Sequence, residues 1–151
     1  FISVGSVGDI DLRRKLVDLV TGMGFYMPCI VDPSAAVSDS ASLERGVFVG
    51  KNAVINARSI IKDFAIINTA AVIEHDCKVG KFVHVSPSAT LCGGVEVGAD
   101  SHIGAASVIM QYLKIGSNSM VGMGSVVIKD VADNVTVFGN PARVMGDRGR
   151  H

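Results

Sequence analysis

Stepping from Val31 in sixes lands on an aliphatic side chain seventeen times in succession, ending at Val127. Val49, Ile55, Ile61, Ile67, Ile73, Val79, Val85, Leu91, Val97 and Ile103 are consecutive members, and the series contains only Val, Ile and Leu. Four residues after each member, from Ala35 to Val131, comes a second series of Ala, Ser, Val, Cys or Leu, never charged and never aromatic. A period held over about a hundred residues marks a solenoid, and a period of six marks a parallel β-helix. The three-and-four spacing of an amphipathic helix is absent from this stretch.

Each hexad supplies one short strand and one turn, and three strands close a triangular coil. The aliphatic first position points inward, and the small fifth position fits a corner. Gly at the second position (Gly50, Gly80, Gly98, Gly104, Gly116, Gly122) suits close backbone approach or positive φ. Seventeen hexads at three per coil give about 5.7 coils, a prism about 27 Å long. A chain that is 48 % hydrophobic, 5 % aromatic and free of Trp fits a narrow core filled by Val and Ile.

Residues 31–132 therefore form the prism, flanked by residues 1–30 and 133–151. The first segment reads as strand Phe1–Val4, a loop over Gly5–Gly8, an amphipathic helix from Asp9 to about Thr21, and a second strand from Phe25 to Val31. Apolar helix positions are Ile10, Leu12, Leu16, Val17, Leu19 and Val20, with Gly22-Met-Gly24 as the stop and Asp9–Lys15 as an exposed face. This is a remnant of an α/β unit, and the expectation is that an upstream portion is missing. At the other end a strand over Asn134–Phe138, a turn at Gly139-Asn-Pro141 and a short tail cap the prism, with Asp147–His151 frayed. The α/β piece is expected over one open end and the tail over the other.

Bulk properties narrow the function. Zero formal net charge gives no support to a nucleic-acid or membrane partner. Cys29, Cys77 and Cys92 are odd in number and lack CxxC spacing, so reduced thiols in the cytoplasm are expected, with neither a disulfide framework nor a zinc site. Asn134-Val-Thr136 matches a glycosylation sequon and is read as incidental.

Chemistry must come from side chains that break the pattern. His75 and Asp76 occupy the third and fourth positions of a hexad, an outward turn, where a carboxylate stabilises a charged imidazole. One coil is eighteen residues, so Gly93-Gly94 lies above His75, where a backbone N–H can meet a thioester oxyanion. A solvated turn is the plainer reading of the pair. His84 and His102 are also eighteen apart and stack on one face, as corner residues or a trimer-interface ladder in preference to a shared metal site. A carbonic-anhydrase-like three-His zinc site would need a close pair, whereas the spacings here are nine, eighteen and twenty-seven. Ser101–Ser107 and Met120–Ser125 place small residues on successive turns, smooth enough for a long flat ligand, or tightly packed for structural reasons alone.

Asn68-Thr-Ala-Ala-Val-Ile-Glu-His-Asp-Cys77, Gly80-Lys-Phe-Val-His-Val-Ser-Pro87 and Leu91-Cys-Gly-Gly94 resemble the NeuD/PglD branch of the left-handed β-helix acyltransferases. The resemblance runs from about Phe1 to Met145 and supplies the handedness, since parallel crossovers are ordinarily right-handed. It implies a homotrimer that moves acetyl from acetyl-CoA to an amine or hydroxyl of a sugar or nucleotide sugar, without a metal. His75 falls at the general base and Asp76 at the acid that orients it. Gly93 falls at the oxyanion amide and His84 at the acetyl-CoA site. Gly104, Ala105, Gly122 and Met123 fall along the cofactor groove between neighbouring prisms, and Asn68 and Gly5 at the acceptor. Relatives often carry Ile-Gly at Ala105-Ala106 and Gly or Ala at Met123, so this chain departs there. Phe1–Gly5 and the helix with Arg13 and Arg14 resemble the end of the branch's nucleotide-binding unit. A structural or ligand-binding solenoid, or a catalytically silent fragment, are the other readings.

Overall fold

A computed structural model describes residues 2, 4, 5 and 10–147. The hexads fold into two-residue strands that stack in three parallel sheets, each strand pairing with the one eighteen residues away. Face A carries Ile30–Val31, Phe48–Val49, Ile66–Ile67, His84–Val85, His102–Ile103 and Met120–Val121. Face B carries Ala36–Val37, Val54–Ile55, Val72–Ile73, Thr90–Leu91, Val108–Ile109 and Val126–Val127. Face C carries Ser42–Leu43, Ile60–Ile61, Lys78–Val79, Glu96–Val97 and Lys114–Ile115.

The core is the first-position column, with Ile61, Ile67, Ile73, Leu91, Ile103 and Ile109 wholly buried. Fifth positions from Val47 to Val131 are buried as well, apart from the partly buried Leu113, and two of their serines bond to carbonyls at the corners: Ser59 Oγ donates to Glu74 O at 2.7 Å and Ser101 Oγ to Gly116 O at 2.6 Å. Such pairing removes the penalty of burying a hydroxyl. The sixth position alternates outward. On face B that column is Ala36, Val54, Val72, Thr90, Val108 and Val126, apolar but for one hydroxyl, whereas face C shows Ser42, Ile60, Lys78, Glu96 and Lys114.

Second-position glycines turn out to serve close approach. A Cβ on Gly98 would lie 2.5 Å from Ser117 N, and none of the six has positive φ. Left-handed backbone falls instead on the fourth position, every sixth residue from Gly46 through Asn52, Arg58, Phe64, Ala70, Asp76 and onward to Gly124.

The flanks differ from expectation. Among the described residues there is one helix, α1, Asp11–Gly22, and of the segment 25–31 only Ile30–Val31 is a strand. The expected strand Phe1–Val4 includes residues outside those described. Helix α1 lies along the corner between faces C and A rather than over the prism end, where Val31 stays 42 % exposed. Its buried residues are Arg13 and Val17, while Leu12 and Leu19 face outward at 59 % and 54 % exposure. The stripe shifts because Arg13 donates to the Phe64 carbonyl, Arg14 pairs with Asp100, and Val17 packs with Met27 and Phe64. At the far end Val135–Gly139 adds in parallel to Met120–Val121 and turns back antiparallel through Ala142–Asp147, so the tail is half of a hairpin.

Candidate active site

The corner between faces B and C carries the most chemically loaded residues. His75 and Asp76 follow strand Val72–Ile73, and Asp76 takes the left-handed conformation (φ 60°) that the turn demands. Asp76 N donates to Ala57 O at 2.9 Å, fixing the turn to the coil below. This backbone aims the carboxylate back at its neighbour, with His75 Nδ1 2.8 Å from Asp76 Oδ2. Arg58, one coil below, grips the same carboxylate with two bonds: Nε to Oδ1 at 2.7 Å and Nη2 to Oδ2 at 2.8 Å. The guanidinium first, and the imidazole second, hold the Asp76 carboxyl down at about 2.

An ionised carboxylate only accepts hydrogen bonds, so Nδ1 is the protonated nitrogen of neutral His75 and Nε2 keeps its lone pair. That nitrogen lies against Gly93, where a Cβ would come within 2.6 Å of it. Only glycine leaves room for the ring. Gly94 N donates to His75 O at 2.8 Å and Gly93 O accepts from Tyr112 N at 2.9 Å. Among the described residues no acceptor bonds the Gly93 N–H, which leaves a donor beside a base. Tyr112, 72 % exposed, lays its ring against Gly94.

The remaining candidates occupy the opposite edge of face B. Asn68, Gly104 and Gly122 stack in one column of the corner between faces A and B, with Ala105 half-buried and Met123 exposed beside them. On face A, His84 is buried, its Nε2 3.2 Å from Asn68 Nδ2 and its ring centroid 5.0 Å from that of His102. His102 Nε2 lies 3.0 Å from Ser86 Oγ. A cleft of about 330 Å³ between the N-terminal segment and face A brings together Gly5, Arg13, Asn68 and His84. His75 is not part of it. A larger open groove of about 520 Å³ on face C holds the Lys78–Glu96 pair and no imidazole or thiol. The candidates thus fall in two separate places: His75 with the Gly93 N–H at the corner between faces B and C, and the cleft on face A with the small-residue turns of the corner between faces A and B beside it.

Among the described residues no three His, Cys, Asp or Glu side chains gather as a metal site. Cys77 is buried in the core, its thiol bonded to Cys92 O at 3.2 Å and pushed up to about 11 by burial, which suits packing and not nucleophilic attack. Arg58 and Tyr112 are what sequence reasoning missed. Both were within reach of the register that links His75 to Gly93, since Arg58 lies eighteen residues before Asp76 and Tyr112 eighteen after Gly94.

No family model matches the chain. Solved structures do. The chain is 41 % identical to PerB, the GDP-perosamine N-acetyltransferase of Caulobacter crescentus solved with CoA and GDP-perosamine, with TM-score 0.90 over 93 % of this chain and 68 % of that one. It is 40 % identical to the acetyltransferase domain of PglB from Neisseria gonorrhoeae FA1090, with TM-score 0.89 over 92 % of this chain and 68 % of that one. WeeI from Acinetobacter baumannii AYE is 29 % identical, with TM-score 0.87 over 92 % and 68 %. The chain spans about two thirds of the length of these relatives. The prism, its register and these identities agree: the chain belongs to the hexapeptide-repeat, left-handed β-helix family of acetyl-CoA-dependent sugar acetyltransferases.

Proposed function

We propose that this chain transfers acetyl from acetyl-CoA directly to an amine or hydroxyl of a nucleotide-linked sugar, with His75 as general base. The observation that carries the reading is the geometry at one corner, where His75 Nδ1 is tied to Asp76 and Nε2 lies against Gly93. As the acceptor nitrogen or oxygen attacks the thioester carbonyl, Nε2 takes its proton. Asp76 stabilises the imidazolium and the Gly93 N–H stabilises the oxyanion. Collapse of the tetrahedral intermediate breaks the C–S bond, and the imidazolium returns its proton to the departing thiolate. Neighbours support the substrate class: the C. crescentus enzyme was solved with CoA and GDP-perosamine, also in a variant with one histidine substituted, and the PglB domain with acetyl coenzyme A.

His84, Gly104, Ala105, Gly122 and Met123 then line the cofactor groove, and Asn68 and Gly5 contact the acceptor. Residues 1–30 form part of the acceptor-binding unit, 31–132 the catalytic prism and 133–151 its cap. Since the two half-sites flank face B, a second copy covering that apolar column brings its cofactor corner to the His75 corner of the first. Three copies close this arrangement, and the reading is a homotrimer with sites between subunits. Three free thiols fit the reducing cytoplasm, and among the described residues no helix is long and apolar enough to cross a membrane. Calorimetric titration of acetyl-CoA, with light scattering on the same sample, tests the assembly. One site per subunit of a trimer is expected; a monomer that binds acetyl-CoA, or a trimer that does not, contradicts it.

A further inference from the structure

The prism has a general habit of pairing opposite charges one coil apart. Arg45–Asp63 at 3.0 Å, Lys62–Glu44 at 2.7 Å and Lys78–Glu96 at 2.8 Å all span eighteen residues. Arg58–Asp76 has the same spacing, but its carboxylate is divided differently. In the three other rungs no histidine shares the acid. In this one Oδ2 accepts from Arg58 and from His75 Nδ1 together, while Oδ1 is held by Arg58 Nε. Two bonds from a planar guanidinium fix both the position and the plane of a carboxylate, which a lysine cannot do. The grip is itself anchored, since Arg58 also sits in the left-handed region (φ 58°) and its N–H donates to Ser40 Oγ at 3.2 Å.

Building on the reading of His75 as base, we infer that Arg58 is a positioning residue for catalysis: it locks the Asp76 carboxylate in the plane that keeps the His75 proton on Nδ1 and the lone pair on Nε2. The column Ser40, Arg58, Asp76, with His75 and Gly93 above, is a relay of orientation running up one corner. Without Arg58, Asp76 swings toward water, both imidazole tautomers populate, and only the Nδ1–H form can accept the acceptor's proton.

Nitrogen-15 spectra of the imidazole and steady-state kinetics on full-length Arg58→Met, Arg58→Lys and Arg45→Met test this. The kinetics use acetyl-CoA and whichever nucleotide-linked 4-amino sugar the unaltered protein turns over fastest. Expected are a single Nδ1–H tautomer in the unaltered protein and a mixture in Arg58→Met. In the same variant kcat should fall about 10- to 100-fold, as for a misplaced catalytic group, with KM for acetyl-CoA within twofold. Arg58→Lys should recover part of the loss. Arg45→Met, which breaks an ordinary rung, should keep the tautomer and kcat of the unaltered protein. Equal behaviour of Arg58→Met and Arg45→Met would overturn the inference. Full turnover by His75→Ala would overturn the base reading beneath it, whatever the spectra show.

Discussion

At the scale of single residues, the proposed mechanism depends on one proton being on one nitrogen. Asp76→Asn removes the acceptor-only carboxylate, and the amide can donate to Nδ1 and force the proton onto Nε2. Turnover should fall by about 10²-fold or more, the range of a lost general base. The same carboxylate links stability to pH. Its folded value, about 2, lies below the ordinary carboxylate value, so its contribution is fully present above about pH 4 and disappears as pH falls toward 2. Melting temperatures of the unaltered protein and Asp76→Asn should differ at pH 7 and converge across that window; a constant gap would contradict the pairing. Gly93→Ala puts a methyl where the imidazole lies, so turnover should drop while the melting temperature holds. A variant with normal turnover would show that the ring does not work over Gly93.

At the scale of the hexad, two backbone demands fall on different positions. The second position must be small because the next coil passes within contact distance. The fourth must be left-handed, which costs an L-residue about 1–2 kcal/mol. Gly98→Ala should therefore destabilise by about 1–3 kcal/mol through a clash with the Ser117 backbone. Ala106→Gly, at φ 55° on an exposed turn, should be neutral or stabilise by up to about 1 kcal/mol, after the extra freedom glycine gives the unfolded chain. Urea midpoints of the two variants check both signs. The period was legible because the inward column admits only aliphatic residues. The left-handed column was not, because Arg58, Phe64, Asp76 and Tyr112 share no chemistry and only three glycines (Gly46, Gly94, Gly124) mark it. Helix α1 misled for a related reason. Its inward stripe includes Arg13, whose bond to the Phe64 carbonyl cannot be foreseen without the corner it docks on.

At the scale of the whole molecule, the prism works as a ruler. Its eighteen-residue coil brings Arg58, Asp76 and Gly93 to one corner from three separate turns, and it keeps Asn68, His84 and Gly104 on the other side of face B. The first set was partly readable from a single addition of eighteen to His75. The separation of the two sets was not, because corner identity depends on counting three faces through every coil. An apolar outward column on face B, beside a polar face C, is the surface on which the proposed assembly rests. The most direct measurement is thiol release from acetyl-CoA, followed with GDP-perosamine and with a UDP-4-amino sugar, for the unaltered protein and His75→Ala side by side. Acceptor-dependent release of CoA is expected, falling about 10²- to 10⁴-fold in the variant, with the same melting temperature and the same oligomeric state. Equal rates in the two proteins would contradict it.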